Sequence, residues 1–112
     1  MPQSETQLQA ECFQWCWNEH PETRRLLWMN RNHGKKKMME ALQDRAMGLV
    51  PGIPDLTFIW KFEVYGIEIK IPGGVLSDDQ KKVHKAWGPH GNIITVYSLE
   101  QFKNHINTVL SN

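Results

Sequence analysis

A tract near the middle of the chain alternates strictly between apolar and charged side chains: Ile67-Glu68-Ile69-Lys70-Ile71. Successive side chains of a β-strand point to opposite faces, so this tract predicts a strand with Glu68 and Lys70 together on one face. Alternating charge of this kind usually marks a solvated strand face. The tract by itself does not separate that interpretation from a functional one.

A second tract upstream, Gly52-Ile-Pro-Asp55, places a carboxylate at the start of another predicted strand. Taken alone, an Asp after a Pro is a turn residue. The predicted strands, 55–60 and 65–71, are separated by a short turn, which is typical of an antiparallel hairpin. Two carboxylates on such a hairpin suit a hard divalent cation, which prefers oxygen ligands. A neighbouring lysine can orient water or stabilise charge on a phosphate, so this set favours metal-assisted phosphodiester hydrolysis.

A third tract, Ser77-Asp-Asp-Gln80, has two interpretations. Ser followed three residues later by Gln is a capping box that begins a helix, so Gln80 could bond back to the helix start. It could equally point toward the two carboxylates. The capping interpretation gains weight because the same spacing recurs at Ser4/Gln7 and Ser98/Gln101.

The order Gly-x-Pro-Asp, Glu-x-Lys, Ser-x-x-Gln resembles the VRR-NUC branch of the PD-(D/E)xK nuclease superfamily, whose stand-alone members occur in phages and bacteria. The resemblance covers residues 48–106 and, more weakly, the N-terminal helix. It implies an α/β, restriction-endonuclease-like core of order αβββαβ, here with an extra helix after the first strand and a C-terminal helix. It also implies a Mg²⁺- or Mn²⁺-dependent deoxyribonuclease acting on branched or otherwise non-B-form DNA, such as junctions and flaps.

The resemblance assigns roles to the residues of the three tracts. Asp55 and Glu68 are expected to bind the metal, with the backbone carbonyl of Ile69 as a further ligand. Lys70 is expected to act on the attacking water. In the family, a glutamine at the position of Gln80 points toward the active centre.

An acidic residue on the first helix is also expected to face the metal. Glu5 is the first choice for this role and Glu11 is the alternative. An acid in the first turn of a helix is also explained by the helix dipole alone. Gln9 lies one turn after Glu5 on the same predicted face and is a candidate contact to the site or the substrate.

The dense basic cluster of the chain follows the first predicted strand, and two interpretations of it stay open. Charge runs are usually solvated surface, but lysines at a helix start oppose the dipole, which favours a role in phosphate binding. The residues of this basic cluster are Arg31, His33, Lys35, Lys36 and Lys37. The other histidines are interpreted as ordinary surface or capping residues: His20, His84, His90 and His105.

Length and composition limit the alternatives. The 112 residues predict a single domain over 1–112, and a net charge of +1 gives no global polyelectrolyte signal, so DNA must be bound by a local patch. No long apolar run predicts a membrane span. The polar N-terminus predicts no signal peptide, and Cys12 and Cys16 are expected to be reduced, buried thiols. The expected location is the cytoplasm of a bacterial or phage-infected cell.

A homodimer is also expected, because cutting two strands needs two active sites and a C2 dimer supplies them. Trp15, Trp17 and Trp28 are more aromatic surface than one small core readily hides, so some are candidates for the interface. The alternative to a nuclease is an inactive DNA-binding or assembly module of the same fold. The intact Asp, Glu and Lys set argues against that alternative.

Capping residues, breakers and periodicity predict the order of elements. Helices are expected from Ser4 to Pro21, over 35–47, from Ser77 to Gly88 and from Ser98 to about Leu110, with strands over 25–29, 55–60, 65–71 and 92–97.

Overall fold

The computed structural model describes residues 3–30 and 38–112. Its elements are α1 (Glu5–Glu19), a 3₁₀ turn (Pro21–Thr23), β1 (Leu27–Met29), α2 (Met38–Ala46), β2 (Leu56–Trp60), β3 (Glu63–Ile69), α3 (Asp78–Trp87), β4 (Asn92–Val96) and α4 (Leu99–Ser111). The predicted order of elements is confirmed. Within the described ranges, no helix is both long enough and apolar enough to cross a membrane.

The strands form one sheet in the order β1-β2-β3-β4. β1 and β3 both run antiparallel to β2, whereas β4 runs parallel to β3. A parallel neighbour requires a crossover connection, and α3 supplies it. The αβββαβ core is therefore confirmed, with α2 as the additional helix after the first strand and α4 as the C-terminal helix.

The hairpin register brings the two carboxylate tracts together. Leu56, the first residue of β2, pairs with Ile67 near the end of β3. Asp55, which directly precedes β2, therefore lies beside Glu68 and Ile69, which directly follow that pair. Residues that are thirteen and fourteen positions apart in the chain thus become neighbours through register alone.

The core lies between the sheet and a layer formed by α1 and α4. Its buried members include Leu8, Cys12 and Cys16 of α1, Phe102, Ile106 and Val109 of α4, and Phe58, Ile67 and Ile69 of the sheet. Both cysteines are free and buried, which confirms the prediction of reduced thiols. Burial raises the pKa of both thiols, so they are inert.

Gly52, at the start of the Gly52-Ile-Pro-Asp55 tract, packs against the start of α3. Its φ of +85° lies in the left-handed region, and a Cβ at this position would be 2.5 Å from the backbone of Asp79. The chain before Asp55 thus packs directly on the helix N-terminus that carries Gln80. A side chain at position 52 would separate the two tracts.

This contact predicts different effects for two alanine substitutions. Gly52→Ala should destabilise the protein by about 1–3 kcal/mol more than Gly73→Ala, because overpacking against backbone adds to the strain of a positive φ. Gly73 is a matched control, since it has a similar φ of +88° but no atom within 4 Å of its Cβ position. Urea unfolding measures the difference, and equal losses would show that α3 yields freely to the added methyl group.

Candidate active site

Glu68 and Lys70 are buried, at 1% and 9% exposure. The interpretation of their strand as a solvated face is therefore excluded. Charged groups are seldom buried without partners, because their desolvation is unfavourable. Two of them on one strand, on the same face, define a candidate site at the end of β3.

Asp55 is held between these two residues by a backbone hydrogen bond. The amide of Ile69 donates to Asp55 Oδ2 over 2.7 Å. Ile69 separates Glu68 from Lys70 in the chain, so this bond sets the Asp55 carboxylate against the segment that carries both. The short distance is typical of a charge-assisted hydrogen bond.

Asn30 fixes the backbone on the other side of Asp55. Its Nδ2 donates to the carbonyl of Pro54 over 2.9 Å and to the Thr57 hydroxyl over 2.7 Å. Its own amide donates to the carbonyl of Asp55 over 2.8 Å. The sequence did not reveal this role of Asn30, because the contact depends on the pairing of β1 with β2.

Gln80 both caps helix α3 and contacts Glu68. Its side-chain Oε1 accepts from the backbone amide of Ser77 over 2.8 Å. The backbone amide of Gln80 donates to the Ser77 hydroxyl over 3.2 Å, which completes the capping box. Its Nε2 meanwhile donates to Glu68 Oε2 over 3.2 Å. The capping geometry thus aims the free amide hydrogens of Gln80 at the buried carboxyl group.

His84 lies one helical turn after Gln80, and its Nε2 is 3.8 Å from Glu68 Oε1. The interpretation of His84 as an ordinary surface residue is therefore wrong. It is also wrong for His105, whose Nε2 is buried and whose ring packs edge-on against Tyr65 at 5.7 Å. The signal that could have revealed His84 is its i, i+4 spacing from Gln80, which places both side chains on one face of α3.

Glu68 has a strongly raised pKa in this site. Burial, followed by the hydrogen bond and the charge of Asp55, raises the pKa of Glu68 to about 9, although the charge of Lys70 acts in the opposite direction. Burial lowers the pKa of His84. Without a cation, Glu68 is therefore protonated and His84 neutral at pH 7, so their contact is not an ion pair.

These groups fit a hydrated divalent cation. Glu68 Oε1 is buried without a hydrogen-bond partner in the described part of the chain, and a cation beside it would replace the proton that Glu68 otherwise keeps. Residues 3–30 and 38–112 contain no group of three or more His, Cys, Asp or Glu side chains arranged to hold a metal. Mg²⁺ accommodates this, because it commonly binds one or two carboxylates and keeps several waters.

Glu5 is the first-helix acid that lies near these carboxylates. It is exposed in the first turn of α1, lines a groove together with Asp55, and its charge raises the pKa of Glu68. Glu11 acts instead on the Cys12 thiol. Of the two candidates, Glu5 is thus the one that lies near Asp55 and Glu68.

The basic cluster predicted to bind phosphates lies outside the described residues. Its members are Arg31, His33, Lys35, Lys36 and Lys37. The prediction of a nucleic-acid contact there stays a prediction.

Comparison with solved structures supports the architecture. A protein described as a VRR_NUC domain protein superposes with a TM-score of 0.77 at 16% sequence identity, covering 99% of this chain and 91% of its own. At this level of identity the match defines the fold, which is the restriction-endonuclease-like α/β fold expected from the sequence. No family model matches the sequence, and no curated protein matches it either.

The raised pKa of Glu68 predicts the pH dependence of stability. Its ordinary value is 4.5 and its value in the folded protein is about 9. Between these values the folded state holds a proton that the unfolded state releases, so the stability of the metal-free protein falls as pH rises. Glu68→Gln removes this contribution, so the fall between about pH 7.5 and about pH 9, above the range in which histidines titrate, should become shallower.

Thermal unfolding in EDTA at several pH values measures this effect. Glu63→Gln is the matched control, because Glu63 is exposed on the same strand, and it should keep the slope of the wild type. The thiols titrate equally in all three proteins. A slope in Glu68→Gln as steep as in the control would show that Glu68 is already ionised in the folded state.

Proposed function

We propose that this protein is a metal-dependent deoxyribonuclease that hydrolyses phosphodiester bonds. The observation that carries the proposal is the buried Glu68 and Lys70 on one strand face, with the partly buried Asp55 beside them. The fold supports it, since a VRR_NUC domain protein has the same architecture. A structural module would gain stability from apolar residues at these buried positions, because unpaired buried charge is unfavourable.

In the proposed mechanism, Asp55 and Glu68 hold Mg²⁺ or Mn²⁺, with the carbonyl of Ile69 as a further ligand. When bound, the cation supplies Lewis-acid chemistry at the scissile phosphate. Gln80 holds Oε2 of Glu68 and leaves Oε1 for the cation. Lys70 presents an ammonium group that orients the attacking water and stabilises charge on the phosphate. Glu5 would support the cation directly or through water.

The proposed substrate is branched or otherwise non-B-form DNA, such as a junction or flap, in phage or bacterial replication, recombination or repair. This choice rests on the resemblance of the three motifs to the VRR-NUC branch. The cytoplasm is the proposed location, which agrees with the two free, buried thiols. An inactive binding module of the same fold is the alternative, and cleavage assays separate the two.

Loss of any central group should abolish cleavage. Asp55→Asn, Glu68→Gln and Lys70→Met keep the volume of each side chain and should each reduce Mn²⁺-dependent cleavage by at least about 100-fold, since each removes a charge used in the transition state. Lys82→Ala, at an exposed position of α3, is the control and should keep the wild-type rate on the same DNA. A panel of flaps, four-way junctions, single strands and plasmid supplies the substrates.

A thermal-shift measurement identifies the cation site independently of activity. Mn²⁺ should stabilise the wild type by mass action, and Asp55→Asn should lose most of that shift. A folded Lys70→Met variant that cleaves at the wild-type rate would remove Lys70 from the mechanism. A full Mn²⁺ shift in Asp55→Asn would place the cation elsewhere.

We also propose that the chain acts as a homodimer. Helix α2 has no buried residue, and its exposed apolar side chains include Met38, Met39 and Leu42. Contiguous apolar surface on a small protein marks an interaction site. Of the tryptophans, Trp15 packs against the core, whereas Trp17 and Trp28 are each 39% exposed. Light scattering at micromolar concentration should give twice the mass of the chain, and a single-chain mass would indicate nicking of one strand.

A further inference from the structure

A groove of about 610 Å³ lies between α1 and β1 and begins at the candidate site. Asp55 and Glu5 line one end of it. Phe13 and Trp28 line its walls, with the polar side chains of Gln9 and Gln14 among them. The volume falls within the range of sites that hold a small ligand.

The groove differs chemically from the carboxylate pair that it adjoins. Both of its described charged side chains, Glu5 and Asp55, are acidic and belong to the catalytic end. The remainder offers ring faces, methylene groups and neutral amides. A phosphate has no cationic partner among these described residues, whereas a flat, uncharged ring with polar edges matches both the walls and the amides.

The walls are open to a ligand. Trp28 is 39% exposed and Met29 is 63% exposed, although both belong to the sheet. β1 is the edge strand of the sheet. Because successive strand side chains alternate between faces, Trp28 lies on the face that carries Glu68, and Met29 lies on the face that packs on α1. Aromatic side chains that stay half exposed beside a catalytic site are typical of surfaces that stack nucleobases.

An aromatic row continues from the groove along α1 to a positive charge. The ring of Phe13 stacks on that of Trp17 at 6.0 Å between centroids. The guanidinium carbon of Arg24 lies 4.8 Å from the centre of the Trp17 ring. The groove is therefore bounded by the proposed cation site at one end and approached by an arginine from the other, which matches a nucleotide with phosphates on both sides of its base.

We infer that this groove binds one unstacked nucleobase next to the scissile phosphate, with Trp28 as the stacking platform. The inference rests on the proposed nuclease function and narrows its substrate to DNA with an unpaired nucleotide at the cut. A base inside a duplex is stacked and paired on both faces and edges, so it cannot enter. A flap or frayed end supplies a free base without the unfavourable step of opening a pair.

The test compares two DNA molecules of the same sequence, one with a single-stranded flap and one fully paired, each carrying 2-aminopurine at the branch position. Binding is measured in Ca²⁺, and the fluorescence of 2-aminopurine reports stacking. The wild type should bind the flap more tightly and quench its fluorescence. Trp28→Leu should weaken flap binding by about tenfold, the usual scale for loss of one stacked base, and leave paired DNA unaffected.

Two further variants make the test specific. Phe62→Leu removes another aromatic ring, which is fully exposed, at 105%, in the turn between β2 and β3, far from Asp55. This variant should keep the flap preference. Ala10→Gln fills the groove from an exposed helical position without adding charge. It should lose the preference even where Trp28→Leu fails to fold.

Each outcome decides the inference. Equal affinity of the wild type for both DNA molecules, or a preference that survives in folded Trp28→Leu, overturns it. If folded Trp28→Leu changes the number of subunits in the assembly and keeps the flap preference, the groove binds a second copy of the chain. That result also overturns the inference. Cleavage without a flap preference would overturn the role of the groove and leave the nuclease function standing. A Trp28-dependent flap preference without cleavage would overturn the nuclease function and leave the role of the groove standing.

Discussion

The hydrogen bond from the Ile69 amide to the Asp55 carboxylate is the interaction on which the site depends. It forms where the paired part of the β2–β3 hairpin ends, and it joins the turn before β2 to the segment after the last hydrogen-bonded residues of β3. Without it, the Asp55 carboxylate would not be fixed beside Glu68, where two ionised carboxylates would repel each other. With it, Asp55 is fixed and Glu68 must respond by keeping its proton.

That response gives the site two states. In the absence of a cation, Glu68 is protonated and His84 is neutral at pH 7. Under the proposed function, a divalent cation would replace the Glu68 proton, and its affinity would therefore rise with pH. Two contacts support the site from either side: Asn30 bonds the backbone before Asp55, and the Gly52 tract packs on the start of α3.

The sequence predicted the order of elements and the convergence of Asp55, Glu68 and Lys70, because alternation, capping and turn chemistry are local signals. It did not predict that Glu68 is almost fully buried, because burial depends on α3 crossing over the end of β3. Asn30 and His84 were missed for the same reason: each acts across a distance in sequence that only the tertiary fold closes. The alternatives at Gln80 were framed as exclusive, yet a primary amide has both a donor and an acceptor end, and the helix start uses one while the site uses the other.

Gln80 makes hydrogen bonds both to the helix start and to Glu68, and other side chains at this position would lose one or both of these contacts. Glutamate would complete the capping box equally well, but it has no hydrogen to donate and would set a third carboxyl group against Glu68. Asparagine has the right groups but is one methylene shorter, so it could not span from the helix start to Glu68. Alanine would lose both bonds. A change at this single residue therefore affects the cap of α3, the hydrogen bond to Glu68, or both.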